Sequence, residues 1–232
     1  MTQIKLTSRE LHAIATLKYR LSKSNNTLTS NSWIPAIEEL FRESRHLMSK
    51  IGDASHNNSL YVGQVTFFGI IIRAHELFLG GIEQIYLDNR HLLQASARGL
   101  IETIGLVCFV SEKPSKVHSL LLDYDIPAGK LMHKASKRIK NAGDFYNKLS
   151  SWVHPGKNSL LAGFKPIGNG DNKTYISLPP PSLSENEIYR VLETLIGLVK
   201  IFYDSTNAFL EKYSNYLIDG ILAGEKANLF VP

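Results

Sequence analysis

The sequence predicts an all-α fold: a helical bundle around a long antiparallel helix pair, with a small β-hairpin inserted before the last long helix. Three observations carry this. Apolar residues recur at three- to four-residue intervals through most of the 232 residues. Two long apolar stretches stand in the middle of the chain, separated only by Asp88-Asn89. The helical period gives way to Gly- and Asn-rich punctuation between Leu160 and Leu178 and returns after Ser184.

The elements follow in order. Thr7-Ser-Arg-Glu10 has the spacing of a capping box, and Leu11, Ile14, Leu17 and Leu21 then mark one face of a short helix. The polar run Ser22 to Ser32 ends it. Pro35 suits the first turn of a second helix, whose apolar stripe is Ile34, Ile37, Leu40, Phe41, Leu47, Met48 and Ile51. Residues 60–87 are apolar nearly all round, which implies a helix packed on several sides. A second long helix runs from about Arg90 to Ser111, stopped by Pro114. With so short a link, the two fold into an antiparallel hairpin at the middle of the bundle.

Shorter helices are predicted over Pro114 to Tyr124, Pro127 to Asn141 and Asp144 to Val153, before Pro155-Gly156. Leu160 to Lys165 and Thr174 to Leu178 flank Gly168-Asn-Gly-Asp-Asn-Lys173 and read as the inserted hairpin or an extended loop, spanning 157–181 with Pro179-Pro-Pro181 at its exit. Ser184-Glu-Asn-Glu187 repeats the capping-box spacing. It opens a long helix, 184–215, with Ile188, Val191, Leu192, Leu195, Val199, Phe202, Phe209 and Leu210 on one face. Residues 1–215 are therefore expected to be a single bundle domain with N-terminal helices over 7–51 and a core over 60–153, and 216–232 a tail. No repeat with a period of about 20 to 50 residues is visible.

Composition narrows the class. Hydrophobic residues make up 44% of the chain, enough for one sizeable core. The N-terminus lacks an apolar stretch with a small-residue cleavage site, and Val62 to Ile85 carries Arg73, His75 and Glu76 at its middle, where ionisable groups are costly in lipid. The expectation is a cytoplasmic protein with no membrane partner. Cys108, the single cysteine, lies in an apolar run and reads as a small buried hydrophobe.

Candidate chemistry gathers in three places. Arg98 and Glu102 stand one helical turn apart in an otherwise apolar helix, so they share a face and can pair. Tyr146, Ser150 and His154 form one stripe of a short helix, and His154 before Pro155 could act as a general acid or base near neutral pH. Arg98, Glu102, Tyr146 and His154 are thus the candidate catalytic cluster, with a structural polar core as the other reading. The third place is Gly129 to Gly143, where Lys130, Lys134, Lys137, Arg138 and Lys140 occur with no acid and account for the net charge of +5. Such a stripe could contact the phosphates of RNA or a nucleotide, or be a solvated face.

The pair Arg98-Gly-Leu-Ile-Glu102, followed by Leu149-Ser-Ser-Trp-Val-His-Pro155, resembles motifs of uncharacterised prokaryotic helical-bundle families. Those families are associated with HEPN-like (higher eukaryotes and prokaryotes nucleotide-binding) proteins and abortive infection. The resemblance covers roughly 60–215. It implies a helical bundle, frequent homodimers and, in some relatives, RNA cleavage or a role in defence. Metal-independent HEPN ribonucleases carry an Arg, then four to six residues, then a His on one helix. Here Arg9 to His12, Arg42 to His46 and Arg73 to His75 are all shorter than that spacing.

Phosphate-binding Gly-rich loops, nucleophile elbows, His-Glu-x-x-His and paired cysteines are absent from the sequence. Gly168-Asn-Gly-Asp-Asn lacks the pattern of a calcium loop. Neither a cofactor nor a metal is expected. Two functional readings remain: an interaction or regulatory protein, with another protein or a second copy as partner, and a metal-independent ribonuclease. In the second, His154 is acid or base, Arg98 stabilises charge and the lysine stripe guides RNA.

Overall fold

In a computed structural model of the chain, the described residues are 4–23, 27–52, 60–117, 120, 126–153, 164–167, 174–177 and 182–218. They form an all-α bundle. Seven α-helices are present among them: α1 (Ser8–Ser22), α2 (Thr27–Gly52), α3 (Val62–Tyr86), α4 (Arg90–Glu112), α5 (Ala128–Ala135), α6 (Ala142–Val153) and α7 (Glu185–Ile218). A 3-10 turn covers Pro114–Lys116, and two short segments, Phe164–Ile167 and Thr174–Ser177, pair antiparallel with Phe164 opposite Ser177.

The α1 helix starts as its capping box dictates: the Thr7 side chain accepts from the Glu10 backbone N–H, and the Glu10 carboxylate accepts from the Thr7 N–H. Its orientation differs from the one expected. Leu11 is 53% exposed, whereas Glu10 is fully buried with Ala13, Ile14, Leu17 and Leu21. A carboxylate that caps its own helix and meets an arginine from α2 can be buried at that position, and the rotation this needs turns Leu11 outward. The expectation for α2 also needs correction. It begins at Thr27, so Pro35 lies inside the helix rather than in its first turn. Pro35 has no N–H for the carbonyl four residues back, and packing of Ile34, Ile37, Leu40 and Phe41 in the core holds the helix through that gap.

The α3 and α4 helices meet at a tight turn. Asp88 adopts a positive φ of 53°, and its carboxylate accepts from the Leu183 N–H and from Arg20, each at 2.8 Å. Asn89 then caps α4 through the Leu92 N–H. Going along the pair, Gly81 approaches Ser96, Gly99 approaches Leu77, and Arg73 bonds Thr103. Both helices are long and apolar enough to cross a membrane by length and composition; half of the apolar window of α3 and 72% of that of α4 are buried inside the bundle. The outward line of α3, Gly69, Ile72, Arg73 and Glu76, is exposed.

Beyond α4 the helices are shorter. Of the helix expected over Pro114 to Tyr124, the described part holds the 3-10 turn and a helical Leu120; the remainder lies outside the described residues. The helix expected over Pro127 to Asn141 ends at Ala135, where the Ser136 hydroxyl donates to the His133 carbonyl and competes with helix continuation. The chain then reverses through Asn141 at φ 57° into α6. The α5 helix lies so close to α4 that a Cβ at Gly105 would come within 2.2 Å of the Leu131 carbonyl oxygen. The α7 helix opens on Ser184, whose hydroxyl donates to Glu187 at 2.7 Å, and continues to Ile218 past a non-helical Tyr213. It lays Leu192, Leu195, Val199, Phe202 and Phe209 into one contiguous core, where Phe209 stacks on Phe67 at 4.6 Å.

Candidate functional site

One turn of α4 presents Arg98 and Glu102 on the same side, and α6 brings Tyr146 to meet them. The Tyr146 hydroxyl donates to Glu102 Oε1 at 2.7 Å and accepts from Arg98 Nε at 2.9 Å; Arg98 Nε also reaches Glu102 Oε1 at 3.2 Å. The guanidinium lies 4.9 Å from the centre of the Tyr146 ring, in the range of a cation–π contact. The side chains of Arg98 and Glu102 are 19% and 20% exposed, and Tyr146 is buried. Burial, and then the Glu102 carboxylate, push the Tyr146 ionisation above its usual range, so at neutral pH the phenol keeps its proton and donates it to Glu102.

Three of the four candidate catalytic residues are therefore in one network. His154 lies outside the described residues, so its position relative to them is not part of this geometry. Ser150, on the same α6 stripe as Tyr146, has a buried hydroxyl with no hydrogen-bond partner among the described residues. A further residue that sequence reading did not place here joins from α3. Arg73 donates to Thr103 Oγ1 at 3.3 Å and lies 3.5 Å from Glu102 Oε2. The signal for it was present, since Arg73 interrupts an apolar helix, but its partner lies across the helix pair and no spacing rule connects them.

The lysine stripe is tied to the end of α4. Lys134 and Lys137 both bond Glu112, and their two ammonium groups hold its carboxyl below the usual carboxylate range. Lys130 lies 5.1 Å over the Phe109 ring, and Arg138 acts on Cys108, whose thiol is pushed up by burial. Lys140 is exposed. From Glu102 to Glu112 is about 15 Å along the α4 axis. The part of the stripe carried by Lys134 and Lys137 thus stands apart from the Arg98 network.

A second polar network, unread in the sequence, lies between α1, α2 and α3. Fully buried Glu10 accepts from Arg45, and His75 Nε2 faces its other oxygen at 3.4 Å. His75 Nδ1 lies 2.9 Å from Ser44 Oγ, itself fully buried. Ser44 Oγ also donates to the Phe41 carbonyl at 3.1 Å, and Glu10 Oε1 has no hydrogen-bond partner among the described residues, so the imidazole is held by Ser44 and stands near the carboxylate without a hydrogen bond to it. The order serine, imidazole, carboxylate is that of a hydrolytic triad, but Ser44 has no solvent-accessible surface through which a substrate could reach it. Burial pushes the His75 imidazole below its usual range. Glu10 had been read only as a capping residue, and the capping role masks the second one.

Among the described residues, no group of three or more His, Cys, Asp or Glu side chains could hold a metal ion. Beside the Arg73 side of the first network opens a cavity of about 240 Å³ lined by Arg73, Glu102, Thr103, Leu106, Leu120, Ile126 and Leu131. No family model, no curated protein and no solved structure matches this chain.

Proposed function

We propose that this chain is an interaction or regulatory protein in which Arg98, Glu102 and Tyr146 clasp α4 to α6 instead of performing chemistry. The observation that carries this reading is the state of the Tyr146 hydroxyl, which is buried and fully engaged between Glu102 Oε1 and Arg98 Nε. A general acid or base needs a hydrogen-bonding position left for substrate, and a clasp does not. The setting, prokaryotic stress or phage defence, rests on the resemblance of Arg98-Gly-Leu-Ile-Glu102 and Leu149 to Pro155 to the HEPN-like motifs alone.

The working form in this proposal is a homodimer that meets a protein partner. Its dimer face is the apolar surface where α3 turns into α4, with Tyr86, Leu87 and Leu92 exposed at 44%, 61% and 50%. The architecture proposed with it has α3 and α4 as an antiparallel pair at the centre. The contact series Gly81 to Ser96, Leu77 to Gly99 and Arg73 to Thr103 supports it, since one partner's number falls as the other's rises. A small β-hairpin inserted before α7 is the remaining part, with the pairing of Phe164–Ile167 and Thr174–Ser177 in its support.

The rival reading, a metal-independent ribonuclease, is favoured by the convergence of three of its four residues. The deciding experiment incubates total RNA with purified protein in EDTA, beside His154→Ala and Arg98→Ala variants checked for fold by circular dichroism. Intact RNA at micromolar wild-type protein is expected. Cleavage that is lost in both folded variants would replace the clasp with an active site.

A further inference from the structure

The outer side of α1 presents a face that neither polar network uses. Leu11, Ala15, Tyr19 and Lys23 follow one another at turn spacing along it, and all four are exposed, Leu11 at 53% and Tyr19 at 54%. Lys18 flanks this row on one side and His12 on the other, and the Lys23 ammonium lies 4.4 Å from the centre of the Tyr19 ring. Lys5, just before the helix, is exposed as well. The acids of the neighbouring elements are engaged elsewhere: Glu10 is fully buried against Arg45, Glu76 and Glu83 hold Arg9, and Asp88 holds Arg20. On α2, which packs against α1 as α3 does, Glu38 and Glu39 meet Arg42, and Glu43 meets Asn207. None of these carboxylates pairs with Lys5, Lys18 or Lys23. The flanking stretches Met1-Thr-Gln3 and Ser24-Asn-Asn26, outside the described residues, contain no acid. Residues 1–88 as a whole hold nine Lys or Arg and eight Asp or Glu, so the unmatched ammonium groups mark one face and not a positive body.

Lysines beside an apolar row suit the surface of an anionic bilayer. Their ammonium groups reach the lipid phosphates, while the apolar side chains between them enter the boundary between headgroups and acyl chains. Tyrosine is enriched at that depth. A nucleic acid would use the same lysines through its phosphates and leave Leu11 without a role. Ionisable groups are costly within the hydrocarbon, so a helix lying on the surface escapes the cost that argues against a spanning one. We propose that the outer face of α1 docks on an anionic lipid surface, with Lys5, Lys18 and Lys23 on the headgroups and Leu11 and Tyr19 at the boundary beneath them. The contact is peripheral, and it uses none of the residues of the proposed dimer face.

The test sediments the full chain with vesicles of equal parts phosphatidylcholine and phosphatidylglycerol, and with vesicles of phosphatidylcholine alone. One lysine near an anionic surface strengthens binding about fivefold, so the three are expected to favour the anionic vesicles by about 100-fold at low salt. Lys18→Glu and Leu11→Ser, both at exposed positions with melts compared to wild type, are each expected to weaken binding about fivefold or more. The proposal falls if wild-type protein stays in solution with up to about 5 mM anionic lipid. It falls equally if both kinds of vesicle bind alike, a comparison that needs no variant, or if folded Lys18→Glu binds as wild type does. Undiminished binding by folded Leu11→Ser would show attraction to a bare polyanion, and the lipid docking face falls with it.

Discussion

Tyr146 and His75 show how single side chains tie this bundle together through polar contacts in its interior. Replacing Tyr146 by Phe keeps the ring on Arg98 and removes the hydroxyl that bridges Arg98 and Glu102. Tyr146→Phe is expected to lower unfolding stability by about 1–2 kcal/mol in urea titrations. A variant as stable as wild type would show that the bridge contributes nothing. For His75, burial holds the folded imidazole below its ordinary 6.5, against the raising influence of Glu10 and Glu76, while Arg45 and Arg9 act in the same direction as burial. The unfolded chain then binds the proton more tightly, so the fold has its full His75 contribution above pH 6.5 and loses it as pH falls below that value. Wild-type stability is expected to drop between pH 7.5 and 5, with a smaller drop in His75→Gln. Equal pH slopes in the two proteins would place the acid sensitivity elsewhere.

At the scale of elements, the close approach of α4 and α5 depends on one missing side chain. A methyl at Gly105 would overlap the Leu131 carbonyl, and backbone cannot move aside as a flexible side chain does. Gly105→Ala is expected to cost about 2 kcal/mol or more. Gly80, inside α3, has open space around it, and Gly80→Ala is expected to add up to about 1 kcal/mol through helix propensity. Paired urea titrations check both, and a neutral Gly105→Ala would mean that the two helices separate at little cost. Capping boxes at Thr7 and Ser184 and the break at Asp88-Asn89 could be read from the sequence because each is a local hydrogen-bond pattern with a fixed spacing. The outward turn of Leu11 and the interior place of Pro35 could not, since each is decided by what packs against the helix, and the early end of α5 turns on a Ser136 hydroxyl bond that the apolar period does not signal.

For the whole molecule, the proposed dimer makes a mass prediction. Light scattering on a sizing column is expected to give twice the 26.0 kDa of one chain, and Leu87→Glu, at an exposed position, is expected to give a single chain that melts as wild type does. A wild-type mass of one chain at every concentration would remove the dimer. The two helices beside that surface also bear on why so much of the chain is apolar: α3 and α4 bury part of their apolar residues against neighbouring helices and leave Ile72, Tyr86 and Leu92 outside.

By itself the sequence determined the helical class, the places where most helices start and stop, and the pairing of Arg98 with Glu102. All of these depend on residues within a few positions of one another, where spacing and hydrogen-bonding capacity are enough. Only the tertiary structure decided that Tyr146 and Arg73 join that pair, that Glu10, Ser44 and His75 form a second network, and that Lys134 and Lys137 are bound to Glu112. Those contacts join residues more than 20 positions apart. They follow from how helices rotate and pack to bury apolar area, and no local pattern encodes that.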